Sequence, residues 1–351
     1  MTQPVHPYAS KPPGAFWAKS VARDWNPADL YTGPGALLKP DDRVVSAGSC
    51  FAGNIVPWLE KAGFNYVRTE FLDPEEDRFQ YHAYSAGYGN IYTTRQLLQL
   101  VQRCDNAFSP VEDRWRAEGA IIDPFRPGFP YPAESDAEFD ALTRSHLDMT
   151  REAFARATVF IFTLGLTEAW MSRVDGAVFP TCPGTVAGEF DPDRHVFVNF
   201  RVAEIVADLR LAIAGLRALN PRVRVILTAS PVPLAATATG QHVYVANAYS
   251  KAALRCACEE MASVAEDVIY FPSWEIIMGV DYPANFLENR RSVSAAGIAA
   301  VVAAIFRHCE MPVPPPAGAS AGTRPGVARL SEALVRYECE ESLNNPDAAT
   351  N

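Results

Sequence analysis

Three short runs rich in β-branched and aromatic residues constrain this chain most: residues 158–163 (TVFIFT), 223–228 (VRVILT) and 268–271 (VIYF). Runs of this length with no polar face suit strands buried on both sides of a parallel sheet. Helical periodicity fills the intervals, over residues 138–156, 202–218, 247–265 and 294–308. An earlier run, residues 43–47 (RVVSA), enters a glycine and precedes a helix over 51–62. Pro57 lies inside that helix and is expected to kink it or shift its start. Residues 96–104 read as one more helix. Strands alternating with helices predict an α/β fold with a parallel sheet covered on both faces.

The regular domain spans residues 41–310. Residues 1–40, rich in proline and aromatics, read as an N-terminal wrapping arm. Residues 105–135 and 171–199, rich in Pro, Gly and Asp, read as insertions. Beyond 310 the composition shifts to PVPPPAGASAGTRPG, so 311–351 reads as a linker with a short amphipathic segment at 328–341.

Composition narrows the function classes. Hydrophobic residues are 48% of the 351, enough for a sizeable core and too many for global disorder. The charge sum, 31 minus 41, is −10, with no Lys/Arg-rich block, which argues against a general nucleic-acid binder. No apolar run reaches the roughly 18 residues of a membrane span. No basic stretch followed by an apolar one opens the chain, so the expected location is cytoplasmic. The seven cysteines (Cys50, Cys104, Cys182, Cys256, Cys258, Cys309 and Cys339) are odd in number and scattered. They read as small core hydrophobes in a reducing compartment and not as a disulfide framework or zinc site. No Walker loop, GxGxxG or HExxH is present, so no nucleotide or metal cofactor is expected.

Ligands of open α/β sheets bind beyond the carboxyl ends of the strands. The first strand delivers Gly48-Ser49-Cys50-Phe51-Ala52 there: a glycine releases the chain, and small nucleophilic side chains stand where a helix begins. A thiol at such a corner is a candidate nucleophile, and backbone N–H groups around it are candidate oxyanion donors.

These five residues spell the signature of the GSCFA domain family, which the chain resembles and which is related to the SGNH/GDSL hydrolase superfamily. Further blocks carry the resemblance in the family's order: Tyr88-Gly89-Asn90-Ile91-Tyr92-Thr93, Phe162-Thr163-Leu164-Gly165-Leu166-Thr167-Glu168, Ser230-Pro231-Val232 and Phe271-Pro272-Ser273. Together with His6-Pro7-Tyr8 and Ala15-Phe16-Trp17 they cover roughly residues 6–310. The resemblance implies a flavodoxin-like three-layer α/β/α sandwich with an ester-handling site. By position, Cys50 replaces the superfamily's nucleophilic serine, and Ser49 is the alternative after a one-residue shift. Gly89, with Asn90 beside it, takes the second block. Gly165-Leu166-Thr167 takes the third, with Thr167 where an oxyanion asparagine is usual. The fifth block, normally Asp-x-x-His, falls on Asn289-Arg290-Arg291-Ser292, so the standard acid and base are both missing.

A base must then come from elsewhere, because such constellations are defined by geometry and not by chain order. His242 is favoured, since a loop leaving the third long strand carries it. His195 is second and His82 third; His146 reads as lying on a solvent-facing helix. Glu168 is placed to orient a histidine or hold a substrate hydroxyl. Asn289, Arg290 and Arg291 are placed to clamp an anionic group. Lys251 opens a helix after His242 and is either a cation that lowers the thiol pKa or, more commonly, a solvated residue.

The expected function is an SGNH-like acyl-ester hydrolase or O-acyltransferase, acting through a covalent intermediate on Cys50. The resemblance implies a carbohydrate-type or other small-molecule substrate. The alternative is a catalytically degenerate module that binds an anionic or sugar ligand. A third reading is an interaction subunit docking a partner helix through residues 330–341.

Overall fold

The structure is a computed structural model and describes residues 6–79, 81–117 and 119–312. The arm is irregular apart from a one-turn helix, α1 (Trp17–Ser20), and two 3-10 turns. It leads into β1 (Arg43–Gly48), α2 (Cys50–Gly53), α3 (Val56–Ala62), β2 (Asn65–Tyr66) and α4 (Thr94–Cys104). A hairpin of β3 (Trp115–Ala117) and β4 (Ala120–Ile122) precedes α5 (Asp136–Arg156). Then come β5 (Val159–Leu164), β6 (Glu168–Ser172), β7 (Val178–Phe179), β8 (His195–Asn199) and α6 (Val202–Leu219). The chain continues with β9 (Arg224–Ala229), α7 (Val243–Val264), β10 (Val268–Tyr270), α8 (Ser273–Met278) and α9 (Ala295–Arg307).

Five strands form one parallel sheet in the order β2-β1-β5-β9-β10. Numbered along the sheet's own strands, this is 2-1-3-4-5, a doubly wound order in which the succession of strands reverses between β1 and β5. Side chains of β5 alternate between two cores. Phe160, Phe162 and Leu164 join the core under α4–α7, while Val159 and Ile161 face the core under α2, α3, α8 and α9. The sheet is therefore covered on both faces, as its apolar runs require. The arm seals the second core with Tyr31, Leu37 and Leu38, and the His308 ring donates to the Ala28 carbonyl at 2.9 Å.

Sequence boundaries hold closely in the sheet and shift at helix ends. The helix expected over 51–62 is two pieces, α2 and α3, with Pro57 in the first turn of α3, where its missing N–H leaves no bond unmade. α4 starts at Thr94 because Thr93 and Gln96 close a capping box. α7 starts at Val243, four residues before the expected 247, because His242 caps it. Residues 171–199, read as an insertion, supply β7 and β8, which pair antiparallel with β6. The 311–351 linker, its amphipathic segment and Cys339 lie outside the described residues, apart from residues 311–312. Among the described residues no helix is long and apolar enough to cross a membrane.

His146, expected to face solvent, is buried instead. Its Nδ1–H donates to Glu70 at 2.7 Å, and the Gly87 N–H donates to the same carboxylate at 2.7 Å. This ties α5 to the chain that follows β2. Helical periodicity missed it because a histidine was scored as polar without a partner in view. Burial works against the Glu70 charge, but the His146 bond and the Arg126 guanidinium outweigh it and hold the carboxyl at about 2. Burial, with Arg126, pushes the His146 imidazolium down, so the ring is a neutral donor at pH 7. Because the Glu70 value is depressed, its stabilisation is present above about 4.5 and is lost as pH falls through about 2. Glu70→Gln is expected to cost roughly 3–5 kcal/mol at neutral pH, the usual size for breaking a buried pair. Urea unfolding of both proteins should show the gap closing in acid; a gap that stays constant down to pH ~2.5 contradicts this assignment.

Candidate functional site

The reversal between β1 and β5 creates the crevice where a doubly wound sheet binds ligands. β1 ends at Gly48 with φ +147°, and a Cβ there would sit 2.5 Å from the Thr163 carbonyl oxygen on β5. Only glycine lets β1 leave the sheet so close to its neighbour. Ser49 follows in extended conformation as the N-cap of α2, and Cys50 is the first helical residue. Both are buried. Ser49 Oγ donates to Ser230 Oγ at 3.1 Å. Ser230 stands just past β9; its N–H donates to the Leu164 carbonyl at 2.8 Å, and its Oγ accepts from the Val232 N–H at 3.3 Å.

The loop carrying Gly89 and Asn90 is stitched to this corner. The Tyr84 hydroxyl lies 3.0 Å from the Ser49 carbonyl and 2.9 Å from Asn90 Oδ1. The Ile91 N–H donates to the Gly48 carbonyl at 2.8 Å. Gly89 has φ +66° and lies under the Tyr81 ring, where a Cβ would fall 2.3 Å from a ring carbon. Asn90 is 1% exposed, yet its Nδ2 has no hydrogen-bond partner among the described residues. A buried, unpartnered donor next to a hydroxyl calls for a functional explanation.

The third block closes the other side. The N–H groups of Gly165 and Leu166 both donate to the Tyr92 carbonyl at 2.9 Å. A Cβ on Gly165 would sit 3.3 Å from Ser49 Cβ, so this glycine forms the wall of the serine. Thr167 N–H donates to Ser250 Oγ at 3.1 Å, and Thr167 Oγ1 is another buried group without a partner among the described residues. Lys251, read from sequence as solvated, is 2% exposed, and its Nζ donates to the Gly165 carbonyl at 2.7 Å. Ser230 and Lys251 are thus residues of the corner that the sequence reading left out of its site. A signal existed for the second. Ala246, Ser250, Ala253, Leu254 and Ala257 form a stripe at helical spacing, and Lys251 borders it.

The corner's sulfur differs from expectation. Cys50 is disulfide-bonded, whereas Cys104, Cys182, Cys256, Cys258 and Cys309 are free. Scattered spacing cannot reveal a pairing set by three-dimensional distance, which is why the sequence reading excluded it.

Two histidines named as bases point elsewhere. His242 is exposed, and its Nδ1 accepts from the Tyr244 N–H at 3.2 Å, the bond of a helix cap. His195 is 1% exposed on β8, with Nε2 3.1 Å from Glu112 and Nδ1 accepting from the Asp191 N–H at 3.1 Å. Both of its ring nitrogens serve the small antiparallel sheet. His82 Nδ1 lies 2.8 Å from Asp77 Oδ2.

The outer residues fasten loops. Glu168 accepts from Thr237 Oγ1 at 2.8 Å, tying β6 to the loop before α7. A groove of about 230 Å³ runs there, with Trp170, Cys182 and Phe197 in its wall. Asn289 Oδ1 accepts from the N–H groups of Arg291 and Ser292 at 3.0 and 2.9 Å, closing a turn in which Arg290 has φ +53°. Arg290 is exposed; Arg291 Nε donates to the Pro233 carbonyl at 3.1 Å. A larger cleft, about 1140 Å³, lies between the arm and α8, away from the clustered polar groups. Among the described residues no group of three or more His, Cys, Asp or Glu is arranged to hold a metal.

The chain belongs to the GSCFA family, whose model matches residues 43–305. No curated protein matches it. The matched region opens at the first residue of β1 and ends inside α9, so it contains the whole parallel sheet and every side chain of the corner.

Gly48→Ala should lose roughly 1–3 kcal/mol or more, since it adds left-handed strain and a clash. Gly14→Ala, with nothing within 4 Å of the added carbon, serves as the control. Equal denaturation midpoints for the two variants would refute the close approach at Gly48.

Proposed function

We propose that the protein is an SGNH-like acyl-ester hydrolase or O-acyltransferase whose acyl-enzyme forms at the corner between β1 and α2. One arrangement carries this reading: Ser49 Oγ is held by Ser230 Oγ at 3.1 Å, and the Tyr84 hydroxyl ties the Ser49 carbonyl to Asn90, whose buried Nδ2 has no partner among the described residues. A hydroxyl with a hydrogen-bond acceptor on its proton and an unused donor on the loop tied to it suits acyl transfer. Ser49 is the nucleophile in this reading. A sulfur in a disulfide has no thiolate to offer, so Cys50 enters only where the bond is reduced. A cytoplasmic setting would keep it reduced, and the hydroxyl of Ser49 is available in either state.

Ser49 Oγ attacks the ester carbonyl, and Asn90 Nδ2 donates to the oxyanion as charge develops there. Collapse expels the alcohol and leaves the acyl group on Ser49; water or an acceptor hydroxyl then removes it. A carbohydrate acceptor fits the resemblance, and Trp170 and Phe197 offer faces for a sugar ring in the groove that Leu166, next to Gly165, also lines. The alternative, a module that binds a ligand without turnover, draws on a specific observation: His242 and His195 make their hydrogen bonds away from the corner.

Intact-protein mass spectrometry after exposure to an activated acyl ester and to a fluorophosphonate tests the choice. The expected result is one adduct, absent in Ser49→Ala and retained in Cys50→Ala, with or without reductant. An adduct lost only in Cys50→Ala moves the nucleophile to the thiol. No adduct under any condition favours the binding module.

A further inference from the structure

We infer that Lys251 is the base that serves Ser49, with Ser230 relaying the proton; this rests on the acyl-transfer reading above. The serine proton already has a direction, because Ser49 Oγ donates to Ser230 Oγ and the Val232 N–H holds that oxygen in place. Ser230 and Lys251 bracket consecutive residues of one strand end. The Ser230 N–H is bonded to the Leu164 carbonyl and the Lys251 amine to the Gly165 carbonyl. Gly165 in turn faces Ser49, since a Cβ added to it would fall 3.3 Å from Ser49 Cβ. Both residues are thus fastened to the strand end that walls the nucleophile, and in this relay the proton passes from Ser230 to the amine through one water.

Lysine is among the residues least often fully buried, since its head keeps its water when the fold allows. Here the whole residue is 2% exposed within a helix that could have turned it outward. An amine shielded from water is a recognised general base, and serine–lysine pairs are one of the geometries that replace a serine–histidine pair. The bond to Gly165 orients the amine in both protonation states, because a neutral amine retains two N–H groups and gains a lone pair.

The step balances. As Ser49 Oγ bonds to the acyl carbon, its proton moves to Ser230 Oγ, and the Ser230 proton moves to Lys251 Nζ. On collapse the carbon–oxygen bond to the leaving alcohol breaks, and Lys251 returns a proton by the same path to that oxygen. Deacylation repeats the sequence with water or the acceptor hydroxyl in place of Ser49.

The test is the pH profile of kcat/KM for an activated acyl ester, with melting temperatures alongside. Lys251→Met should lower kcat/KM by roughly 10²–10⁴-fold at neutral pH and remove the rising limb of the profile. Lys251→Arg keeps a donor for the Gly165 carbonyl but cannot act as a base, so it should melt like the wild type and stay as slow as the methionine variant. Should the lysine variants fail to fold, Ser230→Ala gives the second reading, with a similar 10²–10⁴-fold loss expected. Wild-type rates in Lys251→Arg or Ser230→Ala overturn the inference and leave the acyl-transfer reading standing. A wild-type protein that never acylates on Ser49 overturns both.

Discussion

The seam between β1 and β5 is what the rest of the molecule depends on. Five consecutive residue pairs lie in parallel register along it, from Val44 opposite Val159 to Gly48 opposite Thr163. At its carboxyl end the absence of a side chain on Gly48 lets the two backbones stay in contact while β1 turns away. That turn sets the direction of Ser49, and the same strand end supplies Gly165 as its wall. A side chain at either glycine would push the serine away from Ser230, so the seam is both a packing feature and the element that places the chemistry.

Around the seam, the site is held by backbone and tyrosine contacts more than by charge. Tyr84 joins the Ser49 carbonyl to the Asn90 amide, Tyr81 covers Gly89, and the Tyr92 carbonyl takes two N–H groups of the third block. Such contacts fix loops that would otherwise need hydrophobic packing of their own. They also leave polar atoms at the corner without a partner among the described residues, Asn90 Nδ2, Thr163 Oγ1 and Thr167 Oγ1. Buried polar atoms left unpaired cost stability, and that cost is intelligible where a developing charge will meet them. The polar cluster of Glu70, His146 and Arg126 is one step back from this, anchoring α5 against the chain that follows β2.

The sheet was legible because its strands are continuous apolar runs; residues 158–163 and 223–228 differ from β5 and β9 by one residue at each end. The corner was legible for a different reason, as residues in a familiar order. What escaped was everything set by partners distant in sequence. His146 and Lys251 are polar letters on helices, and a sequence alone cannot show that a carboxylate or a carbonyl waits for each in the core. The loop that carries His242 leaves the expected edge of the sheet, but a competing demand, a cap for α7, claims its ring. Cys50 was read as a free thiol because a pairing depends on distance and not on spacing. Two-residue β2 was missed as well, being too short to carry a periodic signal.

The most direct measurement on the corner is a crystal structure after phosphonylation with a small fluorophosphonate, whose tetrahedral phosphorus mimics the acyl-transfer intermediate. The expected result is a covalent bond from Ser49 Oγ, with the phosphonyl oxygen about 2.7–3.1 Å from Asn90 Nδ2. Phosphorus bonded to another residue, or an oxygen turned away from Asn90 toward solvent, contradicts the assignment of this corner.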